Sequence, residues 1–355
     1  LKEPLVNAEI SGSVPKEGAQ GCSGPSIESR SIGPEQAAIE DAEITMGVYR
    51  ALIEQAQGMP SSVLARLGSL LTRAESPLTD LLTALIGSAA GVKPGPIGGV
   101  SQKEIASRLE RPRSLSGLKV KRPLDPDEIT RLLAGDGPFA HRFPRYEPRL
   151  EQIAMSRAVA EAFGSLQHSG DAHHLMVEGG TGIGKSVAYL LPAVLFAARN
   201  KLRVVISTNT INLQEQLVRK DIPDLLEALE DVPGLDLSQF RYTQLKGKAN
   251  YLCVRRWDAL ANSEAGSVDD ARTMAKTLLW LRETRTGDRS ELRLSERELV
   301  SWDRLSARTF STCLGAREGA CFYRHARDEA TGSHLIVVNH SLLLSDMQVG
   351  GSVIP

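Results

Sequence analysis

The sequence predicts an α/β fold, with a parallel, doubly wound sheet, a mainly helical insertion and a small helical segment ahead of the sheet domain. Two observations lead to this prediction. Short apolar runs alternate with helix-like segments between residues 124 and 240, and a glycine-rich turn separates one such run from the helix that follows. An arginine-rich segment, residues 242–330, then lacks clear strand patterns before the apolar run HLIVVNH.

Ahead of the sheet domain, the chain divides by composition. Residues 1–34 are rich in Gly, Ser, Pro and Glu, so we expect disorder or a domain remnant there. Residues 35–92 contain two helical stretches, and residues 93–123 read as a basic linker that begins at the break GVKPGPIGG. The first stretch is expected to be an amphipathic helix, because its apolar residues recur near helical spacing: Ile39, Ala42, Met46, Tyr49 and Ile53.

The sheet domain spans residues 124–355. Its predicted strands are Leu175–Glu178, Arg203–Ser207 and the run HLIVVNH, and a helix is expected from about Asn212 to Leu229. Because strands and helices alternate, the strands are expected to run parallel. The segment from about residue 242 to residue 330 is then an insertion within this domain.

Composition narrows the class of protein. Hydrophobic residues make up 41% of the 355 residues, the net charge is −1, and no apolar run reaches the length of a membrane span. We expect no membrane segment. The chain begins without Met or a leader, which suggests a start within a longer protein. Four cysteines without a regular framework favour a reducing cytoplasm.

Residues 241–330 hold 17 Lys/Arg against 13 Asp/Glu, which suits either a phosphate backbone or an ordinary mixed-charge helical surface.

The glycine-rich turn has the spacing of a Walker A phosphate loop. In such loops the backbone N–H groups turn toward the phosphates at a helix N-terminus. Lys185 is expected to neutralise the β- and γ-phosphates, and the Ser186 hydroxyl to bind Mg²⁺. ATP and Mg²⁺ are therefore the predicted ligands. The residues assigned to this nucleotide site are Gly179, Gly180, Thr181, Gly182, Gly184, Lys185 and Ser186.

Two further groups of polar residues accompany the loop. Arg149 and Gln152 precede it by about thirty residues, and a Gln amide can both donate to and accept from an adenine edge. The same residues also suit an ordinary helix start. Downstream, Thr208, Asn209 and Asn212 follow a predicted strand, where open α/β sheets bind ligands. They suit a nucleic-acid backbone, or an N-cap cluster for the next helix, and both uses are compatible.

Five blocks in order resemble the DinG/XPD-like helicases of superfamily 2, most closely the bacterial DinG type: EPRLEQIAMSRAVAEAF, VEGGTGIGKSVAYLLPAVLFA, VVISTNTINLQEQLVRKDIP, LKGKANYLCVRR and CFYRHARDEATGSHLIVVNHSLLLSDM. The resemblance covers about residues 124–355. It implies a RecA-like first motor lobe, ATP-dependent 5'-to-3' unwinding of DNA and a part in DNA repair. It also implies that Arg149 and Gln152 serve the base, that Thr208 and its neighbours touch single-stranded or forked DNA, and that the protein is a cytoplasmic monomer.

The resemblance implies an iron-sulfur insertion after Tyr242, in which four cysteines hold a [4Fe-4S] cluster. This region offers three, Cys253, Cys313 and Cys321, and Cys22 lies in a segment not expected to reach them. A four-cysteine site is therefore excluded here. Three alternatives stay open: a cluster with a non-cysteine fourth ligand, a zinc site that adds His325, and free thiols.

Some proteins of this family carry a 3'-to-5' exonuclease domain ahead of the helicase, and residues 35–92 resemble its end. Asp41 stands at an acidic metal-ligand position, but Gln36 stands where the family has a histidine base. An amide cannot accept the proton of the attacking water, so we expect a packing helix without exonuclease activity.

The family's Asp-Glu-Ala-His box, which binds Mg²⁺ and activates water, is expected shortly after NHSLLLSDM, and it does not occur before Pro355. The second motor lobe is also expected beyond this point. The sequence therefore reads as part of a helicase that binds ATP and DNA but hydrolyses little ATP alone. Two other functions remain: another phosphate-loop enzyme such as a small-molecule kinase, and a non-catalytic nucleic-acid-binding module with a vestigial nucleotide site.

Overall fold

The structure is a computed structural model. It describes residues 34–86, 102–109, 114–118, 120–165, 174–263, 266–308 and 320–355. Outside the described residues lie 1–33, which include Cys22, and Cys313. The chain divides into two compact units, residues 1–58 and residues 59–355.

The described part of the first unit is one long helix, α1 (Pro34–Gln57). The predicted helix is confirmed, but four of the five apolar residues at helical spacing are exposed: Ile39, Ala42, Met46 and Tyr49. Ile39, Met46 and Tyr49 are 58%, 52% and 44% exposed. A 3.6-residue apolar pattern fixes which side chains share a face of a helix, but it does not supply the surface that would cover them.

A three-stranded parallel sheet organises the second unit. Its strands are β1 (Val204–Thr208), β2 (Tyr242–Gln244) and β3 (Leu335–Asn339), and β3 lies in the centre. Val204 and Tyr242 both align with Leu335 at the start of β3. β3 is buried on both faces from Leu335 to Val338, as expected for a central parallel strand. The run HLIVVNH is thus confirmed as a strand.

Helices complete the lobe around the sheet: α5 (Pro126–Leu132), α6 (Pro138–Arg142), α7 (Leu150–Ser165), α8 (Lys185–Asn200), α9 (Ile211–Gln216), α10 (Ile222–Ala228) and α15 (His340–Gln348). Helix α8 is the most deeply buried of them, and Leu190, Leu191 and Val194 are fully buried in one core with β3. The phosphate loop therefore opens onto a rigid helix.

A second core is mainly helical. It contains α2 (Ser61–Arg73), α3 (Leu78–Ile86), α4 (Gln102–Arg108), α11 (Val254–Ala261), α12 (Val268–Trp280), α13 (Glu296–Leu305) and α14 (Phe322–Gly332). Its centre is formed by the fully buried side chains of Trp257, Met274 and Trp302. Leu70 of α2 and Ile105 of α4 belong to the same core, so part of the expected basic linker is a packed helix.

Three predicted elements need correction. Leu175–Glu178 is irregular, and Met176 is 97% exposed. No strand among the described residues runs beside this segment to pair its backbone groups, so it forms no ladder. The expected helix after Asn212 is interrupted by a π-helical turn, Leu217–Asp221. It ends two residues before Pro223, which has no N–H to donate. Finally, the expected insertion begins with a strand, β2, although no strand was predicted there. A strand of three residues is too short to show an alternation of apolar and polar side chains.

Candidate nucleotide and nucleic-acid site

The phosphate loop runs from Gly179 to Gly184 and ends at the first residue of α8. Gly182 and Gly184 have φ angles of +83° and +82°, in the left-handed region that glycine adopts readily. The Lys185 ammonium donates to the carbonyl oxygens of Gly179 at 3.0 Å and Gly180 at 2.5 Å. The ammonium thus lies over the loop, where it can exchange these carbonyls for phosphate oxygens.

Helix α7 holds the loop from the side. The Gln152 amide nitrogen donates to the Gly184 carbonyl at 3.0 Å, and the Arg149 guanidinium donates to the Gly182 carbonyl. Gln152 is only 5% exposed. The structure thus brings together two residues and a loop that lie about thirty positions apart in the sequence.

Gly184 is required for a second reason. A Cβ placed on it would lie 2.1 Å from the Gln152 amide nitrogen, so the Gln152 side chain would have to move away from the loop. By contrast, a Cβ on Gly182 would meet nothing within 4 Å. Gln152 can approach the end of the loop only because this position has no side chain.

A cleft of about 320 Å³ opens between α6, the start of α7 and the phosphate loop. Phe139, Phe143 and Tyr146 line it beside Gln152, and the Tyr146 hydroxyl donates to the Leu133 carbonyl at 3.0 Å. Burial raises the pKa of the Tyr146 phenol, an effect that the nearby Arg149 partly offsets. Sequence reasoning missed these aromatic residues, although their close spacing in FAHRFPRY, just ahead of Arg149, was a usable signal.

The hydroxyl of Ser186 is the candidate Mg²⁺ ligand on this loop. The side chain is partly buried in the first turn of α8, and Ser186 lines the cleft. Burial raises the pKa of the neighbouring Tyr189, although a hydrogen bond with Ser186 opposes the rise. In the described ranges, no three His, Cys, Asp or Glu side chains group closely enough to hold a metal ion.

The three predicted nucleic-acid residues differ in accessibility. Thr208 is 4% exposed, and its hydroxyl donates to the Thr210 carbonyl at 3.0 Å. Asn209 and Asn212 are exposed. The Thr210 hydroxyl accepts the Leu213 N–H as the N-cap of α9, so the expected capping role is filled there. Thr208 therefore shapes the turn, and the two asparagines present amide groups to solvent.

A contact between Ser207 and His340 lies next to these residues and was not predicted from the sequence. The Ser207 hydroxyl and His340 Nδ1 are 2.7 Å apart, at the carboxyl ends of β1 and β3. Asn339, between β3 and α15, accepts the Leu342 N–H as an N-cap. Parallel strands end at one edge of the sheet, so His340 and Asn209 share that edge although 131 positions separate them in the sequence. Only the pairing of β1 with β3 brings them together.

The described cysteines do not form a metal site. Cys253 and Cys321 are each the N-cap residue of a helix, α11 and α14 respectively. His325 Nε2 lies 3.2 Å from Glu329 Oε1, so the candidate zinc ligand contacts a carboxylate instead. Two described thiols do not fit a four-thiolate cluster, and neither the cluster nor the zinc alternative is supported by the part of the chain that the structure describes.

Comparison with known proteins gives a consistent result. No protein-family model matches the chain. A Bacillus subtilis protein named 3'-5' exonuclease DinG is 33% identical over 310 residues, which cover 86% of this chain and 31% of that protein. The Haemophilus influenzae and Escherichia coli proteins named ATP-dependent DNA helicase YoaA are 33% and 35% identical over 228 and 222 residues. These two matches cover 63% and 61% of this chain, and 33% and 32% of those relatives.

The chain spans about a third of the length of the curated relatives that it matches. The resemblance found in the sequence is confirmed: the chain is a relative of the DinG-like ATP-dependent DNA helicases. Across the described residues, no helix has both the length and the apolar character needed to cross a membrane.

Proposed function

We propose that, in this relative of the DinG-like helicases, residues 124–355 form the first motor lobe of an ATP-dependent 5'-to-3' DNA helicase. In this proposal the phosphate loop, with Lys185 and Ser186, binds the phosphates and Mg²⁺ of ATP. The adjoining cleft takes the base.

The observation that carries the proposal is the contact between α7 and the phosphate loop. Gln152 donates one amide hydrogen to Gly184 and lines the cleft, so its carbonyl oxygen and second amide hydrogen are the groups that we propose for the base. Aromatic walls suit a stacked ring, and the loop places phosphates next to it. A base site joined to a phosphate site is what a nucleotide triphosphate requires, and a simple glycine turn would not need it.

We also propose that single-stranded or forked DNA passes the carboxyl edge of the sheet. Asn209 and Asn212 present neutral amides there, and Ser207 and His340 add a hydroxyl and an imidazole. Such groups hydrogen-bond phosphate and sugar oxygens without reading the base sequence. Backbone contact of this kind suits a protein that must move along DNA of any sequence.

The activity of the whole protein is part of the proposal. Translocation requires two lobes that close and open as ATP binds and leaves. We therefore propose that unwinding requires a second lobe in addition to residues 124–355. We propose a cytoplasmic monomer that acts in DNA repair. We further propose that residues 35–92 correspond to the end of an exonuclease-like domain, and that residues 93–123 connect it to the lobe.

The match to the Bacillus subtilis exonuclease supports that assignment, because it covers more residues than the segment from Leu124 to Pro355 holds. Asp41 is an exposed acid on α1, and Gln36 supplies no proton acceptor. We expect the chain to leave the 3' ends of labelled single-stranded DNA intact in Mg²⁺ or Mn²⁺. Shortening of those ends by the purified chain, but not by its Asp41→Asn variant, would contradict this.

The nucleotide proposal is tested with Lys185→Ala. Equilibrium titration with Mg-ATP should show affinity weakened by roughly tenfold to hundredfold, about 1.4–2.7 kcal/mol, because one charge-assisted phosphate contact is lost. Affinity for single-stranded DNA should stay unchanged, whereas Asn209→Ala with Asn212→Ala should weaken it. Lys103→Ala, which changes an exposed lysine on α4, is the matched control for both.

The competing functions give different results in the same experiment. A non-catalytic module would bind DNA, and its Mg-ATP titration would show no saturable binding in the unchanged chain. A small-molecule kinase would bind ATP without any response to DNA. Either result would replace the helicase proposal.

The cluster hypothesis has its own test, and no step of the proposed function depends on it. If a cluster with a non-cysteine fourth ligand forms through Cys253, Cys313 and Cys321, anaerobically purified protein should contain iron and acid-labile sulfide in stoichiometric amounts. Protein without either would exclude the cluster and leave the zinc site and the free thiols as the alternatives.

A further inference from the structure

A row of basic residues lies along the amino edge of the sheet, opposite the edge that carries Asn209 and His340. Val204, Tyr242 and Leu335 align as the first residues of the three strands. Each is directly preceded by a basic residue: Arg203, Arg241 and His334. Because the strands are parallel and in register, these three residues occupy one row across the sheet.

The two arginines are anchored at the end of α14. Arg203 Nη2 donates to the Thr331 carbonyl at 2.6 Å, and Arg241 Nε donates to the Gly332 carbonyl at 2.7 Å. These are the last carbonyls of a helix, where the backbone dipole favours positive charge. Guanidinium groups are thus held in fixed positions at this edge.

His334 has an open hydrogen-bonding position. Its ring is 6% exposed, and it stacks on Phe240 with ring centroids 5.2 Å apart. Nδ1 accepts the Arg241 backbone N–H at 3.1 Å, which assigns the proton of the neutral ring to Nε2. Nε2 has no hydrogen-bond partner in the described part of the chain. A donor without a partner favours a ligand that accepts a hydrogen bond.

A cavity of about 740 Å³ lies against this ring. Lys201 and Arg241 line it with His334, and residues 114–118 form its opposite wall. The acid in its lining, Asp236, accepts the Ser238 N–H at 2.9 Å within its own turn, and hydrogen bonds from Ser238 lower the pKa of this carboxyl. Basic groups therefore outnumber acidic ones around a cavity large enough for a small ligand.

We propose that this amino-edge cavity, lined by Lys201, Arg241 and His334, binds a small phosphate-bearing ligand at a site distinct from the phosphate loop. An ammonium and a guanidinium supply charge, and the Nε2–H supplies a directed donor to a third oxygen. Tetrahedral phosphate offers several acceptor oxygens, which suits donors that arrive from three separate elements. Nothing in the proposed helicase function requires this site.

The proposal predicts a dependence on pH. Burial, together with the charges of Arg241 and Lys201, lowers the pKa of His334. A bound anion reverses the sign of the local field, so it stabilises the protonated ring. Anion binding should therefore take up a proton, and affinity should rise as pH falls through the pKa of free His334. Asp236 is the one acid that faces this group from the cavity lining.

The test follows the ring C–H signals of labelled histidines by NMR in the Lys185→Ala chain, in which the phosphate loop is weakened. His334→Gln assigns the signal of His334. Sulfate is the first probe, because its charge does not change over the pH range of the titration. Any change of its affinity with pH therefore comes from the protein. Sulfate should shift the His334 signal and raise the pKa of this residue. Lys201→Ala should weaken the effect by roughly tenfold, and Lys103→Ala should not change it.

Inorganic phosphate and adenosine monophosphate then distinguish the sources of the phosphate group. Equal affinities would mean that the cavity binds phosphate alone, and tighter binding of the nucleotide would mean that it also holds the nucleoside. The proposal is overturned if none of the three probes moves the His334 signal, or if the shift is unchanged in Lys201→Ala. The proposal is also overturned if His334→Gln lowers stability and none of the anions has an effect. The basic row would then serve only to stabilise the end of α14.

Discussion

At the scale of single residues, the phosphate loop depends on one close contact. Gly184 combines a left-handed backbone with the near approach of Gln152, whereas Gly182 has the same backbone and open space around it. The Walker A pattern requires glycine at Gly184 and leaves the position of Gly182 variable. Because α7 packs against the loop, a methyl group at Gly184 would displace Gln152, and a methyl group at Gly182 would displace nothing.

Gly184→Ala should therefore cost more than Gly182→Ala. Both place a side chain in the left-handed region, at about 1–2 kcal/mol each. Gly184→Ala also displaces Gln152, so affinity for Mg-ATP should fall by roughly a further tenfold. Denaturant unfolding and nucleotide titration of both variants measure the two effects. Equal losses would mean that the Gln152 contact does not matter. Gly234→Ala, at a similar φ of +78° and in open space, is the control for backbone strain.

His334 gives a pH dependence at the same scale. Burial lowers the pKa of His334 in the folded chain. As pH falls, the unfolded chain therefore binds a proton before the folded chain does, at about pH 6.5. Stability from the neutral ring is therefore fully present above that pH and is lost as pH falls toward the folded pKa.

The free energy of unfolding, compared at about pH 7.5 and about pH 5.5 in anion-poor buffer, should fall less in His334→Gln than in the unchanged chain. Glutamine keeps an acceptor for the Arg241 N–H but does not titrate. The same fall in both proteins would assign the pH dependence to other groups.

At the scale of elements, Lys246 joins three parts of the second unit. Its side chain is fully buried, and its ammonium lies 2.7 Å from both Glu215, on α9, and Asp288, ahead of α13. It also donates to the Ser290 hydroxyl at 3.1 Å. Lys246 follows β2, so this cluster connects the sheet, the helix α9 at the carboxyl edge of the sheet and the expected insertion.

Lys246→Met should destabilise the chain by about 3–5 kcal/mol, because Asp288 is left charged and buried without its partner. Denaturant unfolding measures the loss. Adding Asp288→Asn to this variant should restore part of it, and Lys103→Met serves as the exposed control. If the double variant is as unstable as the single one, packing of the lysine stem rather than charge is responsible.

The sequence predicted the elements that carry a strong local signal. Helix α8 after the phosphate loop, strands β1 and β3, and helix α1 follow from apolar periodicity and turn residues. It did not predict the π-helical turn before Pro223, because the same residues also fit an uninterrupted helix. Strand Leu175–Glu178 was expected from its apolar run, but a strand also needs a partner, and sequence alone does not show which edges pair.

At the scale of the whole molecule, the candidate site is assembled from distant segments. Arg149 and Gln152 were predicted beside the loop because a family pattern and amide chemistry both pointed there. His340 was not, because its place next to Ser207 depends on β3 pairing with β1. The basic row at the amino edge was missed for the same reason: Arg203, Arg241 and His334 become neighbours only through strand register.

The helical core also crosses the expected domain boundary. Leu70 and Ile105 pack with Trp257 and Met274, so α2 and α4 share a core with the segment after Tyr242. Arg108 adds hydrogen bonds to the carbonyls of Leu281 at 3.2 Å and Arg282 at 2.5 Å. Movement of the insertion would therefore carry α2 and α4 with it.

The central claim is that this chain holds a nucleotide whose base lies in the Gln152 cleft. The most direct measurement is competition of ATP and GTP against a fluorescent ATP analogue, with Glu151→Ala as the matched control for Gln152→Ala. We expect ATP to compete roughly tenfold better than GTP in the unchanged chain and in Glu151→Ala, and the preference to disappear in Gln152→Ala. Equal competition by ATP and GTP in the unchanged chain, or a preference that survives Gln152→Ala, would contradict it.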